Sequence, residues 1–363
     1  MFDQRLIYGV AAVICSFLFS CLLTPSVRAL ALKIGAVDTP KDERRMHKKP
    51  IPLIGGLAVF ISFTLTTFLF SSEITTELYA IWTGGTILII LGALDDLYDL
   101  NPWIKLLGQI VAAACAISEG IIVREIYVFS RYVELGWLAY PLTALWIVVL
   151  VNAFNLIDGL DGLSSGVCAI TCMTLTVVAL LYGNIGSALI AGVLMGACLG
   201  FLPYNFYPAK IFIGDTGAYF LGFVLAVISV GGVFKISAVI SFLLPVIVFA
   251  LPLFDTTLAF LRRIAHRQPP FSGDKKHLHH RLIAFGLSQR QAVLVLYVVS
   301  ALFGMIAIIF TDRIILGVRL IKAFVMLIAV SAMCAVDYFL LKRNKFFADK
   351  KGIDYKGDGR DEE

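Results

Sequence analysis

The sequence predicts an all-α polytopic membrane protein with about eleven transmembrane helices, or ten if one short run does not cross. Composition is the first ground: 59% of the residues are hydrophobic and 15% are charged, where soluble domains sit near 45–50% and about 25%. Mean hydropathy is +0.89. The second ground is the arrangement of the apolar residues in runs close to the roughly 20 that a bilayer-crossing helix needs. The third is a one-sided distribution of Lys and Arg between those runs, which also sets the orientation.

In chain order the expected spans lie near 7–24, 53–70, 78–94, 104–118, 137–154, 164–182, 187–203, 217–232, 236–256, 291–310 and 318–341. The first is expected to be a retained helix, since Asp3 and Arg5 offset each other and no small-x-small site follows. The run 104–118 is short, which leaves the count between ten and eleven. Between the fourth and fifth spans, GIIVREIYVFSRYVEL is rich in β-branched and aromatic residues with partial alternation, and it predicts a small β-hairpin. Gly192, Gly196 and Gly200 form a GxxxGxxxG stripe suited to close helix packing. The seven cysteines fall within apolar runs without a CxxC pair, as small packing residues do. Residues 1–341 make one membrane domain without an internal repeat, and the charged, Gly-rich tail 342–363 is expected to be disordered.

With the N-terminus outside, eleven spans put loops 25–52, 95–103, 155–163, 204–216 and 257–290 and the tail on the cytoplasmic side. Most basic residues fall there, including Arg28, Arg44, Arg45, Arg262, Arg263, Lys275, Lys276 and Arg281. The opposite face keeps few, such as Arg5, Arg124 and Arg131. The expected orientation is N-out and C-in. The net charge of +5 then reflects topology, and no nucleic-acid partner is needed to explain it.

Under this topology the unusual polar clusters share one side. LGALDDLYDL carries Asp95, Asp96 and Asp99 at the end of the third span. Adjacent carboxylates repel and stay ionised most easily beside a cation, and Mg²⁺ is the usual one where phosphates are handled. A solvated helix end is the plain alternative, above all for Asp99. NAFNLIDGLDGL adds Asn152, Asn155, Asp158 and Asp161, and Asn155 and Asp158 share a face if the helix persists that far. In YNFYPAKIFIGDTGAYFLGF, Asp215 stands between Gly214 and Gly217, with Asn205 and Lys210 upstream. Asp215 could cap a helix there, or hold a metal while the helix-start N–H groups face a phosphate. The basic loop RRIAHRQPPFSGDKKHLHHRL brings Arg262, Arg263, His277, His279 and His280. It lacks the other ligands of a zinc site and fits a pyrophosphate-binding surface better. VDTPKDERRMHKKPIPLIGG, which contains His47, is either a topology signal or a second phosphate contact. Acidic residues for a divalent cation, basic residues for phosphate and an oily body for a lipid together imply phosphoryl transfer at the cytoplasmic membrane surface.

These stretches, with KLLGQ, resemble in order the motifs of the polyprenyl-phosphate N-acetylhexosamine-1-phosphate transferases, from about residue 37 to 290. The resemblance implies an enzyme of the bacterial cytoplasmic membrane, with its active site on the cytoplasmic face. It would move a sugar phosphate from a UDP-N-acetylhexosamine to undecaprenyl phosphate and release UMP. By motif, it implies catalytic roles for Asp95, Asp96, Asp158 and Lys105. Asn155, Asn205, His277, His279 and His280 would contact substrate by the same motifs, and Lys210, Arg262, Arg263 and His47 are expected at the substrate as basic phosphate contacts. Asp215, with Asn155 beside it, would hold Mg²⁺, or Mn²⁺ in its place; a homodimer is left open. The run HLHHRL, with Leu278 between the histidines, resembles the N-acetylglucosamine branch rather than the muramoyl-pentapeptide branch, whose motif has three consecutive histidines. The alternatives are that second branch, a DDxxD-type intramembrane prenyltransferase, and a cation-coupled transporter. The prenyltransferase leaves the histidine loop and the GD motif unused. A transporter would place ionisable groups near mid-span, and few are found there.

Overall fold

A computed structural model describes residues 2–39, 50–71, 73–128, 131–233, 243–265 and 278–311. The chain is built from α-helices: α1 (Phe2–Ile34), α2 (Gly56–Phe70), α3 (Thr76–Tyr98), α4 (Pro102–Ser118), α5 (Ala139–Ile157), α6 (Leu163–Leu181), α7 (Ile185–Asn205), α8 (Gly214–Ile228), α9 (Leu243–Val248), α10 (Ala250–Ala265), α11 (Leu278–Ala284) and α12 (Gln289–Thr311). Among the described residues, seven stretches are long and apolar enough to cross a membrane, while α2 and α4 are shorter apolar helices. The all-α multi-pass architecture is therefore as expected.

Several boundaries differ from the sequence reading. Helix α1 has 33 residues, about 50 Å at ~1.5 Å per residue, so it outlasts its apolar core and carries Arg28 and Lys33 on its last turns. The span expected over 236–256 is divided between α9 and α10 at Phe249. The span expected over 318–341 lies outside the described residues. The hairpin is found, with β3 (Glu125–Val128) antiparallel to β4 (Arg131–Glu134) and Tyr127 opposite Tyr132. A second pair was not foreseen: β1 (Val37–Asp38) against β2 (Ile51–Pro52).

Helix α8 is central. Its sequence, GDTGAYFLGFVLAVI, is apolar on every face, as a helix enclosed by other helices must be, and every residue of it except Asp215 is buried. It packs against α3 and α5. The approach is close where glycines meet its first turn: a Cβ on Gly56 would lie 2.0 Å from Gly217 Cα, and one on Gly92 would lie 2.4 Å from Thr216 Cα. The glycine stripe of α7 works as expected against α1, with a Cβ on Gly196 or Gly200 falling 2.4 Å from Val13 O or 2.2 Å from Phe17 O.

The helices alternate in direction, so one end of the bundle collects the ends of α3, α5 and α7 and the starts of α2, α4, α6 and α8. Backbone pairing ties that end together: Gly55 N–H donates to Phe212 O at 2.9 Å, Gly56 N–H to Ile213 O at 2.8 Å, and Phe212 N–H to Pro52 O at 2.8 Å. The hairpin occupies the opposite end. The stretches that carry Asp95 and Asp96, Asn155 and Asp158, and Asp215 therefore lie at the same end.

Candidate active site

Two adjacent carboxylates at the end of α3 are used differently. Asp96 reaches across to the start of α8, accepting from Asp215 N–H at 2.9 Å, Thr216 N–H at 3.1 Å and Thr216 Oγ1 at 2.6 Å. The first N–H groups of a helix lack internal partners and carry the positive end of its dipole. Asp96 is thus a cap supplied from a different helix. This corrects two expectations about α8: Asp215 does not cap it, and the N–H groups of Asp215 and Thr216 are taken by Asp96, not turned to a phosphate. Gly214 makes the approach possible, because its φ is +71° and a Cβ there would meet Asp96 Oδ2 at 2.5 Å.

Asp95 is held between α4 and α8. Its side chain is 1% exposed. Oδ1 accepts from Leu100 N–H at 3.0 Å and pairs with Lys105 Nζ at 2.8 Å, while Oδ2 accepts from Tyr219 Oη at 2.8 Å. Lys105 comes from the first turn of α4, a helix begun by Asn101, whose side chain accepts from Trp103 N–H, and by Pro102 at its first position. Its ammonium also stands 4.0 Å from Asp215 Oδ2 and 4.0 Å from the fully exposed Asp99. Asp215 is the more open carboxylate, with its side chain 31% exposed, and Asn155 Nδ2 donates to its Oδ1. Asp95, Asp96, Lys105, Asn155 and Asp215 therefore form one cluster.

The rest of NAFNLIDGLDGL is spread over separate tasks. The helix ends at Ile157, so Asp158 does not continue the face of Asn155. It accepts from Ser164 Oγ at 2.6 Å, at the start of α6. Burial pushes the Asp158 carboxyl up to about 7, the Ser164 hydrogen bond opposes this, and the charges of Asp96 and Asp161 add to the rise. Asn152 lies away from the cluster and pairs with Gln109, Nδ2 to Oε1 at 2.6 Å, as a clasp between α4 and α5. Asp161 accepts from Ala209 N–H at 2.9 Å.

Asn205 and Lys210, expected at the substrate, make their bonds outside this cluster. Asn205 is 2% exposed; it accepts from Ser165 Oγ at 2.7 Å and donates to Ile211 O at 3.1 Å, which fixes the loop between α7 and α8. Lys210 is exposed, and its carbonyl accepts from Arg28 Nε at 3.1 Å. Arg262 and Arg263 lie on the C-terminal part of α10, and His279 and His280 on the first turn of α11. Asp255 of α10 accepts from Leu278 N–H at 2.8 Å. Ile157, Leu251, Asp255, Leu278 and Leu296 line one small cleft, so the histidine-bearing helix starts against the residue that precedes Asp158. His47 and His277 lie outside the described residues. Tyr219, Thr216, Ser164 and Ser165 were not singled out in the sequence. Tyr219 had one available signal, its position one turn after Asp215 on the same helical face.

The cluster's donor set suits a hard cation. Asp96 directs its oxygens at α8 and both Asp95 oxygens accept hydrogen bonds, whereas Asp215 keeps coordination capacity on its open side. Among the described residues no three His, Cys, Asp or Glu side chains converge as a complete metal cage. One or two carboxylates completed by phosphate oxygens is how Mg²⁺ is commonly held with phosphate substrates. The residues present fit that arrangement, and Asp215 is the one that would hold the ion.

Residues 78–233, which hold the whole cluster, match the family described as glycosyl transferase family 4. The chain is 44% identical over 311 residues to a Bacillus subtilis protein named "Probable undecaprenyl-phosphate N-acetylglucosaminyl 1-phosphate transferase", covering 85% of this chain and 87% of that one. It is 37% identical over 320 residues to the decaprenyl-phosphate N-acetylglucosaminephosphotransferase of Mycobacterium tuberculosis, covering 80% and 78%. With the undecaprenyl-phosphate alpha-N-acetylglucosaminyl 1-phosphate transferase of Escherichia coli it shares 29% over 305 residues, 81% of each chain. The chain belongs to glycosyl transferase family 4, among the polyprenyl-phosphate N-acetylhexosamine-1-phosphate transferases that its motifs resemble.

Proposed function

We propose that this chain transfers N-acetylglucosamine 1-phosphate from UDP-N-acetylglucosamine to undecaprenyl phosphate, releasing UMP. The observation that carries the reading is the meeting of Lys105, Asn155 and the open carboxylate of Asp215 at one end of an apolar bundle. There a lipid phosphate from the bilayer and a nucleotide from water can reach the same groups. The names of the relatives support the sugar and the lipid. The basic residues of α1, α10 and α12 at that end, Arg28, Lys33, Arg262, Arg263 and Arg290, support a cytoplasmic placement of that end in the bacterial inner membrane, with the start of α1 outside.

A terminal phosphate has a second pKa near ~6, so the lipid phosphate is mostly dianionic at neutral pH and needs little help as a nucleophile. Its oxygen forms a bond to the β-phosphorus of the UDP-sugar as the bond from that phosphorus to the bridging oxygen breaks. The electron pair leaves with UMP, and the lipid retains a diphosphate bearing the sugar. Mg²⁺ on Asp215 would neutralise the diphosphate charge when bound. Lys105 adds a fixed positive charge beside it. Asn155 orients Asp215, Asp96 holds the turn that presents it, and Asp158 flanks the cluster as a carboxyl whose pKa burial raises to about 7. The histidines of α11 suit the donor phosphates or the sugar. Direct displacement is favoured over an aspartyl-phosphate, because Asp95 is 1% exposed with both oxygens bonded and Asp96 is turned to α8. Placement of the ionisable groups at one end, not at mid-span, favours an enzyme over a transporter.

The test is UMP release by purified protein given Mg²⁺, undecaprenyl phosphate and, separately, several UDP-sugars. Release that requires both the lipid and UDP-N-acetylglucosamine supports the reading. Release only with the muramoyl-pentapeptide nucleotide overturns the sugar, and no release with any of them overturns the transferase.

A further inference from the structure

Asp95 is enclosed, yet a carboxylate turns about its last torsion unless both oxygens are held. Leu100 N–H holds Oδ1 at 3.0 Å, and Tyr219 Oη holds Oδ2 at 2.8 Å. Tyr219 is itself 1% exposed, in the middle of the packed face of α8. Its ring fills space that a phenylalanine would fill as well. A buried hydroxyl costs free energy unless it is bonded, and the acceptor recorded for this one is Asp95. The held carboxylate then pairs with Lys105 Nζ at 2.8 Å, and that ammonium stands 4.0 Å from Asp215 Oδ2. Phenol, carboxylate, ammonium and carboxylate form one chain, running from the bundle interior to the open face of the cluster.

We propose that Tyr219 is a positioning residue: its phenol fixes Asp95 so that Asp95 holds Lys105 beside Asp215, where the ammonium meets the substrate diphosphate. The proposal rests on the transferase reading above. It makes the tyrosine hydroxyl part of the device that sets the rate, although it touches no substrate.

The experiment compares wild type, Tyr219→Phe, Lys105→Met and the double variant by formation of radiolabelled lipid-linked product, with a thermal melt of each. Hydrogen bonds to charged groups have a size that makes the expected fall in kcat for Tyr219→Phe about 10- to 100-fold. The KM for the UDP-sugar should stay within about twofold and the melt close to wild type. In the Lys105→Met background the same substitution should change little, because the proposal routes the effect of the phenol through the lysine. Tyr219→Met also lacks the hydroxyl but packs differently, so equal kcat losses in the two variants point to the hydroxyl. Unchanged kcat in Tyr219→Phe overturns the proposal, as do losses that multiply in the double variant or that follow the melting temperatures. Wild-type protein that forms no product overturns the transferase reading itself, a result distinct from those.

Discussion

Gly214→Ala tests whether Asp96 is built to hold the start of α8. Two costs arise at this position and they can be separated. The backbone cost comes from φ of +71°, a region that disfavours a Cβ by about 1–2 kcal/mol. The packing cost comes from Asp96: the new Cβ would fall 2.5 Å from Oδ2, so the carboxylate must retreat by about 0.9 Å to reach an ordinary 3.4 Å contact. Its bonds to Asp215 N–H, Thr216 N–H and Thr216 Oγ1 cannot all survive that shift. Losing even one bond to a charged acceptor costs about 1.5–3 kcal/mol, which gives roughly 3–5 kcal/mol in all. Gly183→Ala is the control, with φ of +75° and nothing within 4 Å of its Cβ, and should lose the backbone part alone. Thermal unfolding in detergent reads the difference, at on the order of 2 °C per kcal/mol for a chain of this size. Gly214→Ala is expected to melt about 3–6 °C below Gly183→Ala and to lose product formation, while Gly183→Ala stays active. Equal melting temperatures and equal activities would refute the account of Asp96 as a cap.

Two other outcomes are expected. Asn205→Ala should cost about 1–3 kcal/mol of stability through its lost bonds to Ser165 and Ile211, and in folded protein leave the KM for the UDP-sugar unchanged; a raised KM with an unchanged melt would return Asn205 to the substrate site. Asp158 binds a proton in the folded protein up to about pH 7, whereas its ordinary value is 3.8. The folded state therefore holds the extra proton across that window, and this group's contribution to stability falls as pH rises from about 4 to about 7. Asp158→Asn should make the melting temperature less dependent on pH there, and slopes parallel to wild type would contradict the shift.

Much of the site could be read from residue types, because phosphate chemistry needs carboxylates and cations and an oily chain offers few of either. Asp95, Asp96, Lys105, Asn155 and Asp215 stood out for that reason, and they meet. What the sequence could not reveal was which oxygen of which carboxylate faces where. That Asp96 caps α8 while Asp95 holds Lys105 depends on α3 and α8 touching at Gly92 and Thr216, a contact between residues more than a hundred positions apart. The bonds of Asn205 were hidden for the same reason: an Asn beside a Pro-containing loop reads as a binding residue, and in the fold its two amide atoms hold that loop in place. Asn152 shows the limit of spacing arguments: it stands one turn before Asn155 on the same helix, yet its amide is taken by Gln109 of α4. Helix existence was legible from hydropathy, but the break at Phe249 was not, because both sides of it are apolar.

The central claim is that the Asp215 carboxylate, flanked by Lys105 and Asn155, is where the diphosphate is held for transfer. The most direct measurement is UMP release from UDP-N-acetylglucosamine and undecaprenyl phosphate in Mg²⁺ by Asp215→Asn, matched to wild type for thermal stability. The account predicts a loss of about 100- to 1000-fold or more, the size seen when a main charge-stabilising group is removed. Activity within tenfold of wild type, in protein that melts like wild type, would contradict it.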